Sequence, residues 1–537
     1  AGVSASVITN CTASGMINAS GNCSSIGGII GFMSNNGKVT NCNSNMNINN
    51  SGTGSNIGGL IGQLYSSSIV VSKSYSTGNI TAANSSYVGG LIGDIGTNGH
   101  ITINSCYTTG NVTGSSNVGG FAGRIYADSN NGDSYYQVHV ENSFASGNVT
   151  GSNSTYTGGF VGYAHEVSSS DSYPMDGDIY IYTCYASGTV SSGKGFLGDS
   201  NTSMSNCVYN NANTASQGYQ VTGLSLTQMQ DQATMTGKGF TTDKGWKYES
   251  GKTPQLIITS TGKTSSTTNQ SYSYYTVERP VNTNSDDLQN ILDNGIAGGN
   301  ADGGIAVEDD LLGNVVAFPE TYLTIHIKSS DGAIIKSQGF NCYSRISELL
   351  AFLNNNGINS YMSNGILYLD NDNGLYAEDA IMGGILSQMQ IGVTTKPIET
   401  SFLTVITQSS AEAAIAIGSV STLTAGNLYS ISSLSDLNKL ASLVNSGQAS
   451  NCTFILTGDI DMANSPGYIP IGTDEHKFMG TFYGNGHVIS NVSISQSGTS
   501  GVGIFGVTGN TARILDLGVE NATVSGKDYT GVIVGNS

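Results

Sequence analysis

A glycine-rich phrase that recurs about every 31 residues is the feature that most constrains the fold of this chain. Residues 88–93 read VGGLIG, and residues 118–123 read VGGFAG. The last glycines of the first six copies are separated by 31, 31, 30, 39 and 36 residues. A period of this length indicates stacked repeats, none of which can bury a core alone. The aligned glycines are Gly31, Gly62, Gly93, Gly123, Gly162 and Gly198, with Gly506 and Gly535 in the last part of the sequence.

A second phrase lies between the glycines and reads CYTTGNV at residues 106–112. Read at period two, one face of this phrase holds Cys106, Thr108, Gly110 and Val112, and the same face is small or apolar in every copy. This alternation indicates a half-buried strand, and no helical period competes with it. The sequence therefore predicts a mainly β fold, a parallel β-solenoid (β-helix) whose rungs stack about 4.8 Å apart. The glycines would let the backbone approach closely where a Cβ would clash.

These phrases resemble the GLUG motif, which is named for its glycine–hydrophobic–x–glycine pattern. Similar repeats belong to large bacterial surface and secreted proteins, including adhesins and the non-catalytic parts of immunoglobulin A peptidases. The resemblance covers roughly residues 1–258 and 425–537. It implies the solenoid fold and an extracellular location on a prokaryotic cell surface, and it implies no particular ligand.

Two stretches resemble the ends of such a solenoid. Residues 240–257 contain the one tryptophan, Trp246, and look like a closing segment. Residues 428–447 predict a helix that Ser435 caps just before Asp436. We expect a β-solenoid at 1–260, a linker at 261–275, an acidic α+β domain at 276–411, and the helix-capped start of a solenoid at 412–537.

The middle of the chain lacks the repeats. It predicts a hairpin around Ser330-Asp331-Gly332, a helix over residues 344–357 and a second hairpin that turns at Asn364-Gly365. Residues 278–399 hold 16 acids and 5 bases, so this segment carries most of the net charge of −19. An acidic spacer, lateral contact or display module is the expected role.

The two ends of the sequence read as one uninterrupted repeat when they are joined. From Gly535 to the Gly31 that would follow it is 33 residues, which is inside the observed spacing. We therefore expect residues 412–537 to continue in register into residue 1 of another copy or repeat, as in one period of a tandem array. Two unrelated solenoids with arbitrary ends are the alternative. An unpaired solenoid end is a template for another rung.

Two side-chain columns follow from the repeat. The first would hold packed free thiols, because serine replaces cysteine at Ser74 and Ser143, although disulfides between neighbouring rungs stay open. The second would be an outward aromatic ladder that either stacks on sugar rings or a neighbouring fibre, or only stabilises the sheet. A bulge at the glycine could instead turn these rings inward. The first, the cysteine column, is Cys11, Cys42, Cys106, Cys184 and Cys207. The second, the aromatic ladder, is Tyr75, Tyr107, Phe144 and Tyr185.

Catalytic chemistry has little support in the sequence. Residues 165–169 read HEVSS, so the second histidine of a zinc-peptidase motif is missing. Asp459 and Asp461 share one strand face but belong to the solenoid's opening rung. Asp370 and Asp372, like the acids at 128–133, could bind Ca²⁺, but neither stretch matches the twelve-residue calcium loop. We expect no enzyme and no other cofactor.

The charge and hydropathy of the chain limit the classes of partner that it can bind. An acidic chain without basic clusters disfavours nucleic acid, and no apolar run is long enough to insert in a membrane. We expect an extracellular structural protein that forms a fibre with other copies of itself end to end, with lateral contact between copies left open. An adhesin stalk that binds host protein or glycan is the alternative, and a polysaccharide-acting β-helix enzyme is a remote one.

Overall fold

The chain divides into two compact units, Ala5–Ser265 with Ala413–Ser537, and Ser266–Glu412 with Ala1–Ser4. The computed structural model describes residues 6–34, 36–127, 137–166, 178–200, 202–212, 220–256, 258, 323–329, 334–340, 346–356, 358–363, 366–370, 375–379, 391–392, 414–448, 450–463 and 467–537.

The first unit is a continuous stack of parallel strands, which confirms the predicted mainly β solenoid. Three sheets, here named A, B and C, run along it. Sheet A contains, along the stack, Ile415–Ala416, Leu428–Ile431, Ser450–Leu456, Met479–Tyr483, Arg513–Leu515, Ser6–Thr9, Gly37–Thr40, Ile61–Ser72, Ile92–Asn104, Gln137–Glu141, Asp178–Tyr182 and Ser203–Ser205, with a second row of Phe505–Val507, Val534–Asn536, Ile30–Met33, Ala122–Ala127, Val161–Glu166 and Leu197–Ser200.

Sheets B and C complete each rung. Sheet B contains Ile460–Asp461, Val488–Ser490, Ser493–Gln496, Gly518–Gly526, Thr12–Ala19, Asn43–Asn50, Tyr75–Ser76, Ile80–Thr81, Tyr107–Thr108, Val112–Gly114, Phe144–Ala145, Val149–Gly151, Tyr185–Ala186, Cys207–Asn210 and Val221–Leu224. Sheet C contains Thr530–Gly531, Ser24–Gly27, Ser55–Gly58, Ser86–Gly89, Ser116–Gly119 and Thr157–Gly158. Apolar side chains from all three sheets fill the interior.

The corner between sheets A and B is made by a residue in the left-handed conformation. The φ angles of Asn10, Asn41 and Ser105 there are 55°, 53° and 55°. Asparagine adopts this conformation more readily than most residues because its short side chain can hydrogen-bond locally. The corner turns the next residue, which is a cysteine after each of these three, into the core.

One long helix lies at the end of the stack where the first rungs begin. The helix Leu434–Asn445 buries Leu437, Leu440 and Leu443 against the first rungs, next to the 3₁₀ turn Ile417–Ser419. Its N-cap is Ser433, not Ser435 as the sequence suggested. Ser433 has an extended backbone and its hydroxyl accepts a hydrogen bond from the Asp436 N–H at 3.2 Å, which is what an N-cap residue requires.

The closing segment lies at the other end. It consists of the short helices Leu226–Met229 and Gln232–Thr236, the 3₁₀ turn Thr242–Lys244, and the antiparallel pair Trp246–Lys247 and Gln255–Leu256. Trp246 is fully buried. Non-repeating structure therefore adjoins the stack near its first and its last rungs.

The acidic unit is α+β, and both predicted hairpins and the helix are confirmed. Leu323–Ser329 pairs antiparallel with Ile334–Phe340 and with Leu375–Asp379. Asn359–Ser363 pairs antiparallel with Ile366–Asp370, which also pairs with Ile391–Gly392. The helix is Ile346–Asn355. In the part of the chain that the structure describes, no helix is long and apolar enough to cross a membrane.

Candidate functional site

The stack contains a junction at which the two ends of the sequence meet. Ser6–Thr9 pairs with Arg513–Leu515 in sheet A, and Thr12–Ala19 pairs with Gly518–Gly526 in sheet B. Sheet C and the second row of sheet A continue in the same way, with Ile26 opposite Thr530 and Ile30 opposite Val534. The partner that the sequence assigned to another copy or repeat is, in this structure, the same chain.

Side chains as well as backbone cross the junction. Asn10 Nδ2 donates to Asp516 Oδ1 at 2.8 Å, and Asn41 Nδ2 donates to Asn10 Oδ1 at the same distance one rung further on. The Ser24 hydroxyl donates to Asp528 Oδ1 at 2.8 Å. The corner side chains thus form a continuous hydrogen-bonded column across the junction, from Asp516 through Asn10 to Asn41.

The repeat glycines lie where no Cβ fits. A Cβ built on each of them would lie between 2.2 and 2.7 Å from the carbonyl oxygen of the matching glycine one rung earlier. For Gly31 that oxygen belongs to Gly535, on the other side of the junction. The column consists of Gly506, Gly535, Gly31, Gly62, Gly93, Gly123, Gly162 and Gly198, and Gly472 precedes it.

Asp516 is the corner residue at the junction where four other rungs have asparagine. Burial raises the pKa of its carboxyl, and the hydrogen bond from Asn10 opposes that shift. Burial also lowers the pKa of the neighbouring Arg513 guanidinium and raises the pKa of the Tyr483 hydroxyl to about 12. The four asparagine corners are Asn10, Asn41, Asn142 and Asn206.

We expect Asp516→Asn to stabilise the solenoid by about 1 kcal/mol at pH 7. A raised folded pKa means that the carboxyl contributes most to stability below its unfolded pKa of about 3.9, and that this contribution is lost as the pH rises through the folded value. The gain from Asp516→Asn should therefore shrink as the pH falls through the raised folded pKa, and it should be smallest below about pH 4. Urea unfolding at pH 4 and pH 7 measures it, with Glu520→Gln as the control for net charge. Equal stability of variant and wild type at pH 7 would contradict this expectation.

The aromatic ladder exists, and its rings stack face to face on the outside of sheet B. The ring centroids of Tyr75 and Tyr107 are 4.6 Å apart, and those of Tyr107 and Phe144 are 4.8 Å apart. Tyr185 follows at 4.8 Å from Phe144, and the planes of each pair agree within 5°. The stacking distance equals the rung spacing, so the ladder is a direct consequence of the repeat.

The ladder is not exposed along its length, which corrects the sequence-based expectation. Phe144 and Tyr185 are 1% and 0% exposed, while Tyr75 and Tyr107 are half-buried. The cause is the closing segment, which folds back over the outside of sheet B. Trp246 lies 5.7 Å from the Tyr185 ring, and the Tyr185 hydroxyl donates to the Pro254 carbonyl. The covered rings form a second hydrophobic core outside the solenoid.

The cysteine column lies inside the corner between sheets A and B. All five thiols are buried and free, and each Sγ donates to the carbonyl oxygen two residues earlier, as from Cys106 to Asn104 at 3.3 Å. Ser74 and Ser143 make the same bond with their hydroxyls, at 2.8 and 2.7 Å. Burial raises the pKa of Cys106 and of Cys207 to about 12. A buried thiol held in its protonated form is a packing group and a poor nucleophile. The column is Cys11, Cys42, Cys106, Cys184 and Cys207.

An asparagine ladder on sheet B was not predicted. The Oδ1 atoms of Asn47, Asn79 and Asn111 accept the backbone N–H of the asparagine one rung further on, at 2.9 to 3.0 Å. Asn148 does the same for the N–H of Thr189. The recurring Gly-Asn dipeptide before Ile80, Val112 and Val149 was the signal in the sequence.

The candidate acids that the structure describes form no cluster of metal ligands. Asp459 accepts the N–H of Val488, and Asp461 accepts those of Ala463 and the Asn491 side chain, so both carboxylates brace the next rung. No group of three or more potential metal ligands occurs within the described ranges. The side chain of Asp370, all of Asp372 and the acids at 128–133 lie outside the described residues.

Comparison with known proteins gives one partial similarity. Halomucin of Haloquadratum walsbyi (strain DSM 16790 / HBSQ001) is 35% identical over 120 residues, which is 20% of this chain and 1% of halomucin. The chain therefore spans about 1% of the length of that relative. No family model matches the chain, so the resemblance to GLUG repeats stays a prediction. No solved structure matches it either.

Proposed function

We propose that this chain is a structural protein of the cell surface or of secreted material, and that its solenoids link into a fibre. The partial similarity to halomucin supports the location, because that relative is a large cell-surface protein. The resemblance to GLUG-repeat surface proteins points the same way. The junction supports the fibre, because it joins two separately capped halves of one solenoid.

The junction can be formed within one chain or between chains. The half at 413–537 contributes the helix Leu434–Asn445, and the half at 6–258 contributes the closing segment. Residues 266–412 separate the halves in sequence, so no short loop restricts the junction to one chain. The strand edges of a second copy offer the same register. A head-to-tail exchange of this kind produces a filament unless the rotation between successive units closes it into a ring.

The caps determine what such a fibre would be. Non-repeating structure adjoins both the first and the last rungs of each solenoid, so we expect no rungs to continue from one solenoid into the next. An exchanged fibre would be a string of capped solenoids, each assembled from two chains, with the acidic units as covalent links between them. Exchange competes with closure inside one chain, where the tethered half has an effective concentration on the order of millimolar. Crowding of units on a surface would favour exchange.

Cross-linking across the junction tests the fibre. Met16 and Thr523 are exposed register partners on neighbouring strands, within reach of a disulfide. The full chain with Met16→Cys and Thr523→Cys, and with Cys342→Ser to remove a cysteine outside the described residues, is oxidised over a range of concentrations. We expect a ladder of covalent multimers on a denaturing gel at high concentration, and strings of particles by negative-stain electron microscopy.

The matched control places cysteines at Asn49 and Thr81, which are register partners within one half. This pair should cross-link only within a chain at every concentration. If the junction pair also yields only monomers at the highest concentration, and microscopy shows only single particles, the fibre is wrong and a closed solenoid remains.

A further inference from the structure

The outward face of sheet A carries a cluster of aromatic side chains around one arginine. Arg124 donates from Nε to Asp94 Oδ1 at 2.7 Å and from Nη2 to Asp94 Oδ2 at 2.9 Å. Its guanidinium carbon lies 4.2 Å from the ring centroid of Tyr87 and 5.5 Å from that of Tyr126. The Tyr126 ring in turn stacks on His165 at 5.7 Å. Every one of these aromatic side chains is half-buried, so part of each faces solvent.

The most exposed ring of this face lies over a glycine. Tyr65 and Tyr126 are the register neighbours of Gly96 on either side. A Cβ on Gly96 would be 2.8 Å from Tyr65 Cδ2, so the Tyr65 ring leans over the glycine instead of standing away from the sheet. Gly96 is buried beneath it, while Tyr65 itself is 50% exposed. The glycine therefore makes room for a ring that turns a large surface to solvent.

A fixed polar column runs beside this ring. The Ser25 hydroxyl donates to Gln63 Oε1 at 2.8 Å, and Gln63 Nε2 donates to Asp94 Oδ2 at 3.2 Å. Asp94 then binds Arg124, so four side chains on successive rungs form one network. Gln63 and Tyr65 are two residues apart on the same strand, which places the network alongside the ring. An open aromatic ring with immobilised polar groups at its edge offers an apolar face and hydrogen-bonding groups side by side.

We propose that Tyr65, held by Gly96 and flanked by the partly exposed Gln63 and Arg124, is a stacking platform for a neutral hexopyranose unit of a glycan. Asp94 is buried and holds Gln63 and Arg124 in place. A pyranose has an apolar C–H face, which suits the Tyr65 ring, and a rim of hydroxyls, which suits the polar column. An apolar protein partner would instead desolvate that column without pairing it. This site does not depend on fibre formation.

Charge favours this ligand class over the other occupants of such a face. Asp94 neutralises Arg124, so the site itself offers no net charge to an acidic sugar. Residues 6–258, which form this face, hold 12 acids and 8 bases, so their net charge of −4 is unfavourable to anionic glycans and to lateral contact with a second copy. A cationic peptide is the remaining competitor, and it serves as a probe in the test.

Titration of the full chain with maltohexaose, cellohexaose and mannohexaose, followed by saturation-transfer NMR and calorimetry, tests the platform. We expect at least one of them to bind with a dissociation constant on the order of 1 mM. Tyr65→Ala should weaken binding about tenfold, because it removes the stacking surface. Gly96→Val should weaken it equally, because its side chain would displace the Tyr65 ring.

Gly96→Val is the decisive variant. The atoms closest to the added Cβ belong to the flexible Tyr65 side chain, and the nearest backbone atom is 3.9 Å away, so the fold should keep its stability. Tyr75→Ala, at the open end of the sheet B ladder, is the matched control and should bind as wild type. The proposal is overturned if no hexasaccharide binds up to about 10 mM, if Gly96→Val binds normally, if Tyr75→Ala abolishes binding, or if only a lysine hexapeptide binds.

Discussion

Replacing Gly93 with alanine should destabilise the solenoid by about 3 kcal/mol, although the change adds one methyl group. The added Cβ would lie 2.4 Å from Asn56 C, 2.4 Å from Ile57 N and 2.6 Å from Gly62 O. All three atoms belong to the backbone of the preceding rung, so no side-chain rotation relieves the contact. The rungs must part locally, which lengthens the parallel hydrogen bonds on both sides. Urea unfolding followed by circular dichroism measures the loss.

The control is Gly498→Ala. Gly498 is exposed, has no left-handed backbone angle, and has no atom within 4 Å of the position of an added Cβ. The same chemical change there should leave the unfolding midpoint within experimental error, or raise it slightly because alanine restricts the unfolded chain. If Gly93→Ala unfolds at the same urea concentration as Gly498→Ala, close rung contact is not the reason for the glycine column.

The repeat made most of the solenoid predictable. A period of about 31 residues and an alternation of two assign each residue to a rung and to a face. The alignment of Cys106 with Ser143 is enough to predict that both lie in one inward column. Local rules alone account for this, because every rung solves the same packing problem with the same residue types.

Contacts between non-repeating and repeating parts were not predictable in the same way. The alternation correctly turned Phe144 and Tyr185 away from the solenoid interior, but nothing in their own phrases shows that residues 226–256 fold back over them. The junction partner was ambiguous for a related reason. A strand edge such as Ser6–Thr9 offers the same register to Arg513–Leu515 of any copy, so sequence fixes the pairing but not the chain that supplies it.

The closing segment should depend on Trp246 more than on any other side chain that it contributes. The indole is fully buried and lies 5.0 Å from Phe240, 5.7 Å from Tyr185 and 6.1 Å from Phe144, measured between ring centroids. Trp246→Ala should therefore cost about 4 kcal/mol through lost burial and the cavity that it leaves. The segment should then release the ladder, and Phe144 and Tyr185 should become exposed.

Two measurements separate release of the segment from general unfolding. Trp246 is the one tryptophan of the chain, so its fluorescence in the wild type reports this segment alone, and it should be blue-shifted and protected from iodide. In Trp246→Ala, binding of an apolar dye should rise while the far-ultraviolet dichroism of the solenoid persists. Trp246→Phe is the matched variant. It keeps a ring in the cluster and loses only an indole N–H that has no hydrogen-bond partner among the described residues, so it should cost about 1 kcal/mol. If Trp246→Ala binds no more dye than Trp246→Phe, the segment still covers the ladder without the indole, and Trp246 is not the side chain that holds it there.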